Sequence, residues 1–266
     1  MSLLKRIKNA VSGNSSNTTN TPVPQTVTPV KAPPVLSTEI NERSKVILSK
    51  AELGLEKHLV DLKKKNVDLT AHRARVFVIL DRSGSMRQLY NNGSVQDTLT
   101  RLLPLALKFD DNGELEVYVF DDAFNRIEPM TINNFSTYVE KEILEKNYGP
   151  RGSTNYAPVI NQATKDFNDG SPYPAFGIFI TDGDNWDHND TTKAIRNSSK
   201  YKIFFQFVGI GKVNFNYLQN LDNLDGRDVD NTSFIKIEDF SSLSDEELFP
   251  KLLAEYPQWL KDMHIQ

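Results

Sequence analysis

The stretch of sequence that decides the fold is VFVILDRSGS, residues 76–85. Its first half, VFVIL, is an unbroken apolar run, which is typical of a strand buried on both faces, as in a parallel sheet. Its second half, DRSGS, is polar and follows the strand directly, so it lies at the strand's carboxyl end. Ligands bind at that end in open α/β sheets. The stretch therefore predicts both a parallel sheet and a site at its edge.

Outward from this strand, strand-like and helix-like segments alternate along the chain. Three apolar or aromatic runs and one weaker edge candidate predict strands at 115–120 (LEVYVF), 176–180 (FGIFI), 203–208 (IFFQFV) and 234–237 (FIKI). Helical patterns occupy residues 95–109, 138–145, 156–167, 191–198, 215–221 and 248–263. The alternation predicts an α/β fold: a Rossmann-like, doubly wound, mostly parallel central sheet flanked by helices.

Prolines and a capping box add detail to these helices. Pro104 should bend the first of them, and Pro250 and Pro257 should split the last. Ser244 and Glu247 have the spacing of a capping box, which predicts a helix start just after Ser244.

Composition divides the 266-residue chain into four parts. Residues 1–11 form a short basic segment with apolar residues on one helical face. Residues 12–38 are rich in Ser, Thr, Asn and Pro, which predicts a disordered linker. Residues 39–69 predict an amphipathic helix that packs on the domain. Residues 70–266 hold the alternating segments and therefore form the folded α/β domain.

Composition and charge also exclude several classes of protein. The absence of cysteine excludes disulfide scaffolds, thiolate-bound metals and thiol catalysis. Residues 1–38 carry four basic and no acidic residues, which leaves 27 basic against 35 acidic residues in the rest of the chain. An acidic body argues against nucleic-acid binding and is compatible with a cation site.

The sequence shows no membrane-spanning run, and residues 1–11 lack the apolar core of a secretory signal. We therefore expect a cytoplasmic protein. The first eleven residues are better explained as an unstructured tail than as a membrane contact, because so short a helix is marginal in water.

Oxygen-bearing side chains collect at three places, two of them directly after predicted strands. They lie in residues 81–85 (DRSGS), 152–154 (GST) and 181–184 (TDGD). Carboxylate and hydroxyl oxygens without nitrogen or sulfur form a hard donor set, which suits Mg²⁺ or Mn²⁺. Because only about two negative charges would face the ion, one coordination position is open to an acidic side chain of another molecule.

These three places resemble the metal-ion-dependent adhesion site (MIDAS) of the von Willebrand factor A (VWA) domain. The matching elements are D-x-S-x-S at 81–85, a threonine at 154, and a hydrophobic strand followed by T-D-G at 181–183. The resemblance spans residues 70–262. Within it, Arg82 stands where the family often has an apolar residue, and Ser153 stands where a second glycine commonly precedes the threonine.

Further stretches look like the tellurium-resistance and copine-like bacterial branch of that family. They are residues 89–96 (LYNNGSVQ), 103–121 (LPLALKFDDNGELEVYVFD), 205–211 (FQFVGIG) and 257–260 (PQWL). The branch is compatible with a stress or tellurium-resistance-type system, although membership does not by itself imply tellurite resistance.

The resemblance implies a ligand set and a way of working. Carried over residue by residue, the metal ligands, direct or through water, are Asp81, Ser83, Ser85, Thr154 and Asp182. The implied function is a metal-dependent protein-binding module. An acidic residue of a protein partner would complete the coordination of Mg²⁺ (or Mn²⁺), and helix movement on ligation would switch the surface.

Two other functions are compatible with these residues. A metal-assisted hydrolase or phosphatase would keep an aspartate nucleophile after a buried strand, but the position of its second aspartate is Ser83. Neither Ser83 nor Ser85 lies in a G-x-S-x-G elbow. We therefore expect no enzymatic activity. A scaffold whose metal is purely structural is the other alternative, and the sequence does not separate it from a binding module.

Residues around the predicted ligands have simpler interpretations. We expect the nearby acids to be solvated: Asp184, Asp187 and Asp190. We expect Trp186 and Trp259 to be packing residues, with Trp186 placed to form a rim of the site. The run at 225–230 (DGRDVD) lacks the calcium-loop pattern and predicts a surface turn.

Overall fold

The computed structural model describes residues 34–149 and 152–265. The segment predicted at 1–11 and residues 12–33 of the predicted linker lie outside these ranges. A six-stranded sheet with strand order β3-β2-β1-β4-β5-β6 forms the centre of the described part. Its strands are β1 (Arg75–Asp81), β2 (Leu115–Phe120), β3 (Phe124–Met130), β4 (Ala175–Thr181), β5 (Ile203–Ile210) and β6 (Thr232–Ile237). All neighbours are parallel except β2 and β3.

Helices cover both faces of this sheet. They are α1 (Pro34–Lys64), α2 (Arg87–Asn91), α3 (Ser94–Phe109), α4 (Ala157–Phe167), α5 (His188–Ser198), α6 (Asn216–Asp222), α7 (Asp245–Leu252) and α8 (Tyr256–Asp262). Among the helices of the described ranges, none combines the length and the apolar character that crossing a bilayer requires. The predicted doubly wound α/β architecture is confirmed.

The side chains of β1 show why an unbroken apolar run is needed. Val76, Val78 and Leu80 belong to one apolar cluster, and Phe77 and Ile79 belong to the other. Successive residues of a strand point to opposite faces. The first cluster is closed by α1, α3, α7 and α8, and the second by α4, α5 and α6. Both faces of β1 are therefore core.

The register of the central strands positions the candidate site. Leu80 lies opposite Ile180 in the parallel pair of β1 and β4, so Asp81 and Thr181 follow side by side at the carboxyl edge. The chain leaves β1 toward β2 on one side and returns in β4 on the other. The crevice above β1 and β4 is therefore the switch point of the sheet, where open α/β folds bind ligands.

The first described helix differs from its predicted bounds. Helix α1 begins at Pro34, so residues 34–38 of the predicted 12–38 linker are helical, and it ends at Lys64 rather than at residue 69. Leu48, Leu55 and Leu59 are buried on one side of it. Because this apolar side packs on α3 and α7, tertiary contact stabilises a helix whose beginning the composition does not indicate.

Two further details differ from the sequence-based expectation. Strand β3 was not predicted, because Ile127 and Met130 are its only buried residues and no apolar run marks it. Pro250 lies inside α7 and does not end it. The break falls between α7 and α8, and Pro257 stands in the first turn of α8, where the missing N–H removes no hydrogen bond.

Candidate metal centre

The carboxylate of Asp81 lies at the end of β1, with 0% of the residue exposed. Its Oδ1 accepts a hydrogen bond from the Ser83 backbone N–H at 2.7 Å, and its Oδ2 accepts one from the Thr181 hydroxyl at 2.7 Å. Both oxygens are thus held by neutral donors, one from the loop after β1 and one from the end of β4. This arrangement fixes the orientation of the carboxylate between two neighbouring strands.

Three more of the predicted ligands join this cluster. The hydroxyl oxygens of Ser83 and Ser85 are 3.1 Å apart, and the Ser85 hydroxyl donates to Asp182 Oδ1 at 2.7 Å. A chain of hydrogen bonds therefore connects Asp81, Ser83, Ser85 and Asp182. Four of the five predicted ligands are together at the carboxyl edge of the sheet.

Thr154 approaches the cluster through its backbone. Its carbonyl oxygen accepts a hydrogen bond from the Trp186 N–H at 3.0 Å, which places it against the loop that follows β4. Within residues 34–149 and 152–265, the Thr154 hydroxyl makes no hydrogen bond to the other four predicted ligands. The structure thus places Thr154 beside the site without joining it to the hydrogen-bonded cluster.

Two buried hydroxyls behind the cluster were not among the predicted ligands. The Tyr156 hydroxyl donates to the Gly183 carbonyl at 2.7 Å, and its oxygen lies 3.2 Å from the hydroxyl oxygen of Thr181. Burial raises the pKa of Tyr156 well above its ordinary value, so its hydroxyl stays neutral. Thr181 was visible in the T-D-G motif, whereas Tyr156 looked only like the start of a helix.

The acids of the cluster are destabilised as charged groups. Burial raises the pKa of Asp81 to about 6, and burial also raises the pKa of Asp182. Among the described residues, no basic side chain pairs with either carboxylate. A buried carboxylate without a positive partner gains from a cation placed against it.

These residues fit a hard divalent cation. Within the described ranges, no group of three or more Asp, Glu or His side chains is arranged to hold a metal ion, so a site here depends on hydroxyl oxygens as well. Two carboxylates and two serine hydroxyls supply oxygen donors only, which suits Mg²⁺ or Mn²⁺ better than metals that favour nitrogen or sulfur.

Asp187 supports the site, and the expectation that it is solvated was wrong. Its Oδ1 accepts the Tyr156 N–H at 3.0 Å, and its Oδ2 accepts the Ala157 N–H at 2.8 Å. A carboxylate at a helix N-terminus satisfies unpaired N–H groups and the helix dipole. Asp184 and Asp190 are exposed, as expected, and pair with His188 and Lys193.

The two tryptophans differ from each other. Trp259 is 1% exposed and packs in the core as expected, whereas Trp186 is 82% exposed. The packing interpretation of Trp186 was therefore wrong, because its indole is exposed on the loop after β4. The acidic run at 225–230 is a turn in which the Arg227 guanidinium pairs with Asp230 at 2.5 Å.

Comparisons with known proteins agree with this fold and with the family resemblance. A family model for vWA-TerF-like domains, described as the vWA found in the TerF C terminus, matches residues 73–266. The chain is 42% identical over 215 residues to the uncharacterized protein YcbR of Bacillus subtilis (strain 168), an alignment that covers 80% of this chain and 88% of YcbR.

Solved structures of distant relatives share the fold. The SpRpn10 VWA domain has a TM-score of 0.50 and 11% identity, over 66% of this chain and 94% of that one. Proximal thread matrix protein 1 from the mussel byssus, in a structure with a zinc-occupied MIDAS motif, has a TM-score of 0.50 and 16% identity, over 68% and 48%. Because the family model matches most of the chain and a relative is 42% identical, the chain belongs to the von Willebrand factor A family, in the branch found at the C terminus of TerF.

Proposed function

We propose that this VWA domain binds Mg²⁺ or Mn²⁺ and uses the ion to bind an acidic side chain of a partner protein. The metal ligands in this proposal are Asp81, Ser83, Ser85, Thr154 and Asp182. The observation that carries it is the buried Asp81 carboxylate, hydrogen-bonded by neutral groups and linked through Ser83 and Ser85 to Asp182.

The chemistry of these side chains supports a cation completed from outside. Two carboxylates and three hydroxyls supply five oxygen ligands. One position of an octahedral ion is then open to water or to an incoming carboxylate. Thr181 and Tyr156 hold the carboxylate and the loop after β4 in place. The zinc-occupied MIDAS motif of the mussel byssus protein supports a divalent metal in this position of the fold.

The rim of the site supports a protein as the partner. Trp186 is mostly exposed, and its backbone is fixed to Thr154. The preceding residue, Asn185, is buried and donates to Asp187 and Thr191. An exposed indole on a fixed backbone is well suited to the centre of a protein interface, where tryptophan is enriched among the residues that dominate affinity.

A binding role explains the site better than a catalytic one. A phosphatase of the aspartyl type needs a second acid two residues after the first, and Ser83 stands there. The nearest described histidine along the loop after β4 is His188, which is exposed and pairs with Asp184 rather than with a serine. We therefore propose no enzymatic activity. We also propose a cytoplasmic location. The proposed stress or tellurium-resistance-type system rests on the branch of the family alone.

The decisive experiment is a pull-down from a native lysate with wild type and Asp81→Asn in parallel, in Mg²⁺ or in EDTA. We expect a partner that only wild type retains, and only with Mg²⁺. A partner that binds regardless of metal and of Asp81 would contradict the proposal. If Mg²⁺ still stabilised the wild type in that case, the metal would be structural, as in the scaffold alternative.

A further inference from the structure

Arg82 stands between two of the proposed metal ligands, and its side chain takes part in a buried ion pair. Its Nε and Nη2 lie 2.8 and 2.7 Å from Asp121 Oδ2. Arg82 is 7% exposed and Asp121 is 1% exposed. Asp121 follows β2 directly, so the pair joins the carboxyl ends of two neighbouring strands beneath the site.

The same pair holds both ends of the loop that carries Thr154. At the beginning of the loop, Arg82 Nη2 donates to the carbonyl oxygens of Tyr148 at 2.9 Å and Gly149 at 3.3 Å. At its end, the Asp121 carbonyl accepts the Asn155 N–H at 2.9 Å. Tyr148, Gly149 and Asn155 are thus bound to the pair, on either side of Thr154.

The loop also fits closely over the end of β2. A Cβ on Gly152 would overlap the carboxylate of Asp122, the residue after Asp121. Asp122 is exposed and its side chain can turn away, so the contact shows that the loop lies close to the end of β2 rather than that glycine is required. This proximity is independent of the hydrogen bonds made by Arg82, and it places Gly152 against the end of the strand that Asp121 follows.

We propose that Arg82 and Asp121 are positioning residues of the metal site, which hold the backbone of Tyr148, Gly149 and Asn155 so that Thr154 can serve as a ligand. This inference rests on the proposed function. A buried ion pair is a weak source of stability, because desolvation offsets its attraction. Its contribution here is geometric: it fixes the one proposed ligand that does not belong to the hydrogen-bonded cluster.

The chemistry of the guanidinium makes arginine specific for this task. Its fork of N–H donors serves a carboxylate and two carbonyl oxygens at once, whereas a lysine ammonium is a compact charge on a flexible stem. Arg82→Lys therefore keeps the positive charge beside Asp121 but loses the fixed contacts to Tyr148 and Gly149.

The test is Mn²⁺ titration calorimetry on the full chain, arranged as a double-mutant cycle. We expect Arg82→Met and Arg82→Lys each to weaken Mn²⁺ binding about tenfold, as removal of a residue that orients a metal ligand does. Thr154→Ala should weaken binding in the wild-type background and add almost nothing in the Arg82→Met background. Ser85→Ala is the matched control, and its effect should be the same in both backgrounds.

Each outcome decides between the inference and the function on which it rests. If the wild type binds Mn²⁺ and both Arg82 variants bind it equally well, the positioning role is wrong and the metal site stands. Independent, additive effects of Arg82→Met and Thr154→Ala would also overturn the positioning role. If the wild type fails to bind Mn²⁺, the proposed function itself is wrong. Arg82→Lys keeps a folded comparison available if the uncompensated Asp121 unfolds Arg82→Met.

Discussion

Asp81 is a core residue as well as a proposed ligand, and this decides how the site is best tested. Its position after an apolar strand suggests a surface loop, yet the carboxylate is buried and accepts hydrogen bonds from Ser83 and Thr181. Removing the side chain would leave both donors unpaired, which costs about 1–3 kcal/mol each. Asparagine keeps the shape and one acceptor oxygen, so it isolates the charge.

We expect Asp81→Asn to abolish Mn²⁺ binding while the protein stays folded, because the ion loses a charged oxygen ligand but the sheet keeps its packing. Titration calorimetry with Mn²⁺ measures the binding, and circular dichroism checks the fold. Asp190→Asn is the matched control, since it removes the same charge from an exposed position. Wild-type affinity in Asp81→Asn would show that the site is assigned wrongly.

A second acid with a raised pKa, the half-buried Asp222 at the end of α6, makes stability depend on pH. Burial, followed by the nearby Glu255 and Asp230, raises the pKa of Asp222 from 3.8 to about 6 in the folded protein. The folded state therefore binds this proton more tightly than the unfolded chain does. It follows that the free energy of unfolding falls as the pH rises from about 4 to about 6.

Asp222→Asn removes this penalty. We expect it to raise the free energy of unfolding by about 1 kcal/mol at pH 7.5, a value reduced for the partial exposure of the group, and by much less at pH 4. Urea denaturation at the two pH values measures the difference. The exposed Asp225→Asn serves as the control, and an equal gain at both pH values would contradict this origin.

The residues of the candidate site were predictable where they belong to a short sequence motif. The structure brings Asp81, Ser83, Ser85 and Asp182 together, and their binding of metal stays a prediction. The supporting contacts were not predictable, because each depends on pairing between distant segments. The Tyr156 hydroxyl meets Gly183 only because α4 packs beside the loop after β4. Arg82 meets Asp121 only because β1 pairs with β2.

Among the elements, the buried strands and the edge strand β6 were predictable, and the edge strand β3 was not. A strand with core on both faces must be apolar throughout, so β1, β2, β4 and β5 stand out in the sequence. Strand β3 lies at the sheet edge, with alternating polar residues and Pro129, which only an edge strand tolerates. Its pairing with β2 supplies the backbone partners that its sequence pattern does not reveal.

Helix α1 lies outside the residues that match the family model, yet it is packed into the described fold. A Cβ on Gly54 would come within 2.6 Å of the Asp245 Cβ of α7. The glycine therefore permits close contact between these two helices rather than a special backbone conformation. The contact also lies beside the Ser244–Glu247 capping box, which is confirmed.

We expect Gly54→Val to lower the free energy of unfolding by about 1–3 kcal/mol more than Leu53→Val does, because only the first introduces a side chain where α7 already lies. Leu53 is exposed. Helix propensity acts against the expected difference, since Gly→Val gains it and Leu→Val loses it, so a larger loss of stability in Gly54→Val reports the overlap with α7. Urea denaturation measures both variants. Equal effects would mean that α1 does not rest on α7 in solution.

In the fold as a whole, the site lies at the switch point of the sheet. The chain continues from β1 to β2 on one side and returns in β4 on the other side of β1. A cation at this point would contact segments that are far apart along the chain. Ser85 and Asp182, for example, are 97 residues apart. Such an ion binds the folded state and has no equivalent site in the unfolded chain, so it should stabilise the fold by mass action.

We expect Mg²⁺ at about 100 times its dissociation constant to add about 2.7 kcal/mol to the stability of the wild type. For a chain of this size that corresponds to a rise in Tm of about 5–10 °C. Calorimetric melting with Mg²⁺ and with EDTA measures the rise, and Asp81→Asn should show none. An equal rise in this variant would point to binding of Mg²⁺ elsewhere on the protein.

The opposite exposures of Trp186 and Trp259 have an optical consequence. The chain has two tryptophans, so its emission is the sum of a water-exposed, red-shifted, acrylamide-quenchable indole and a shielded, blue-shifted one. A molecule that covers Trp186 changes the first and leaves the second untouched, whereas unfolding changes the second as well. One fluorescence measurement on the unlabelled protein therefore distinguishes docking from denaturation, because the buried Trp259 serves as an internal reference.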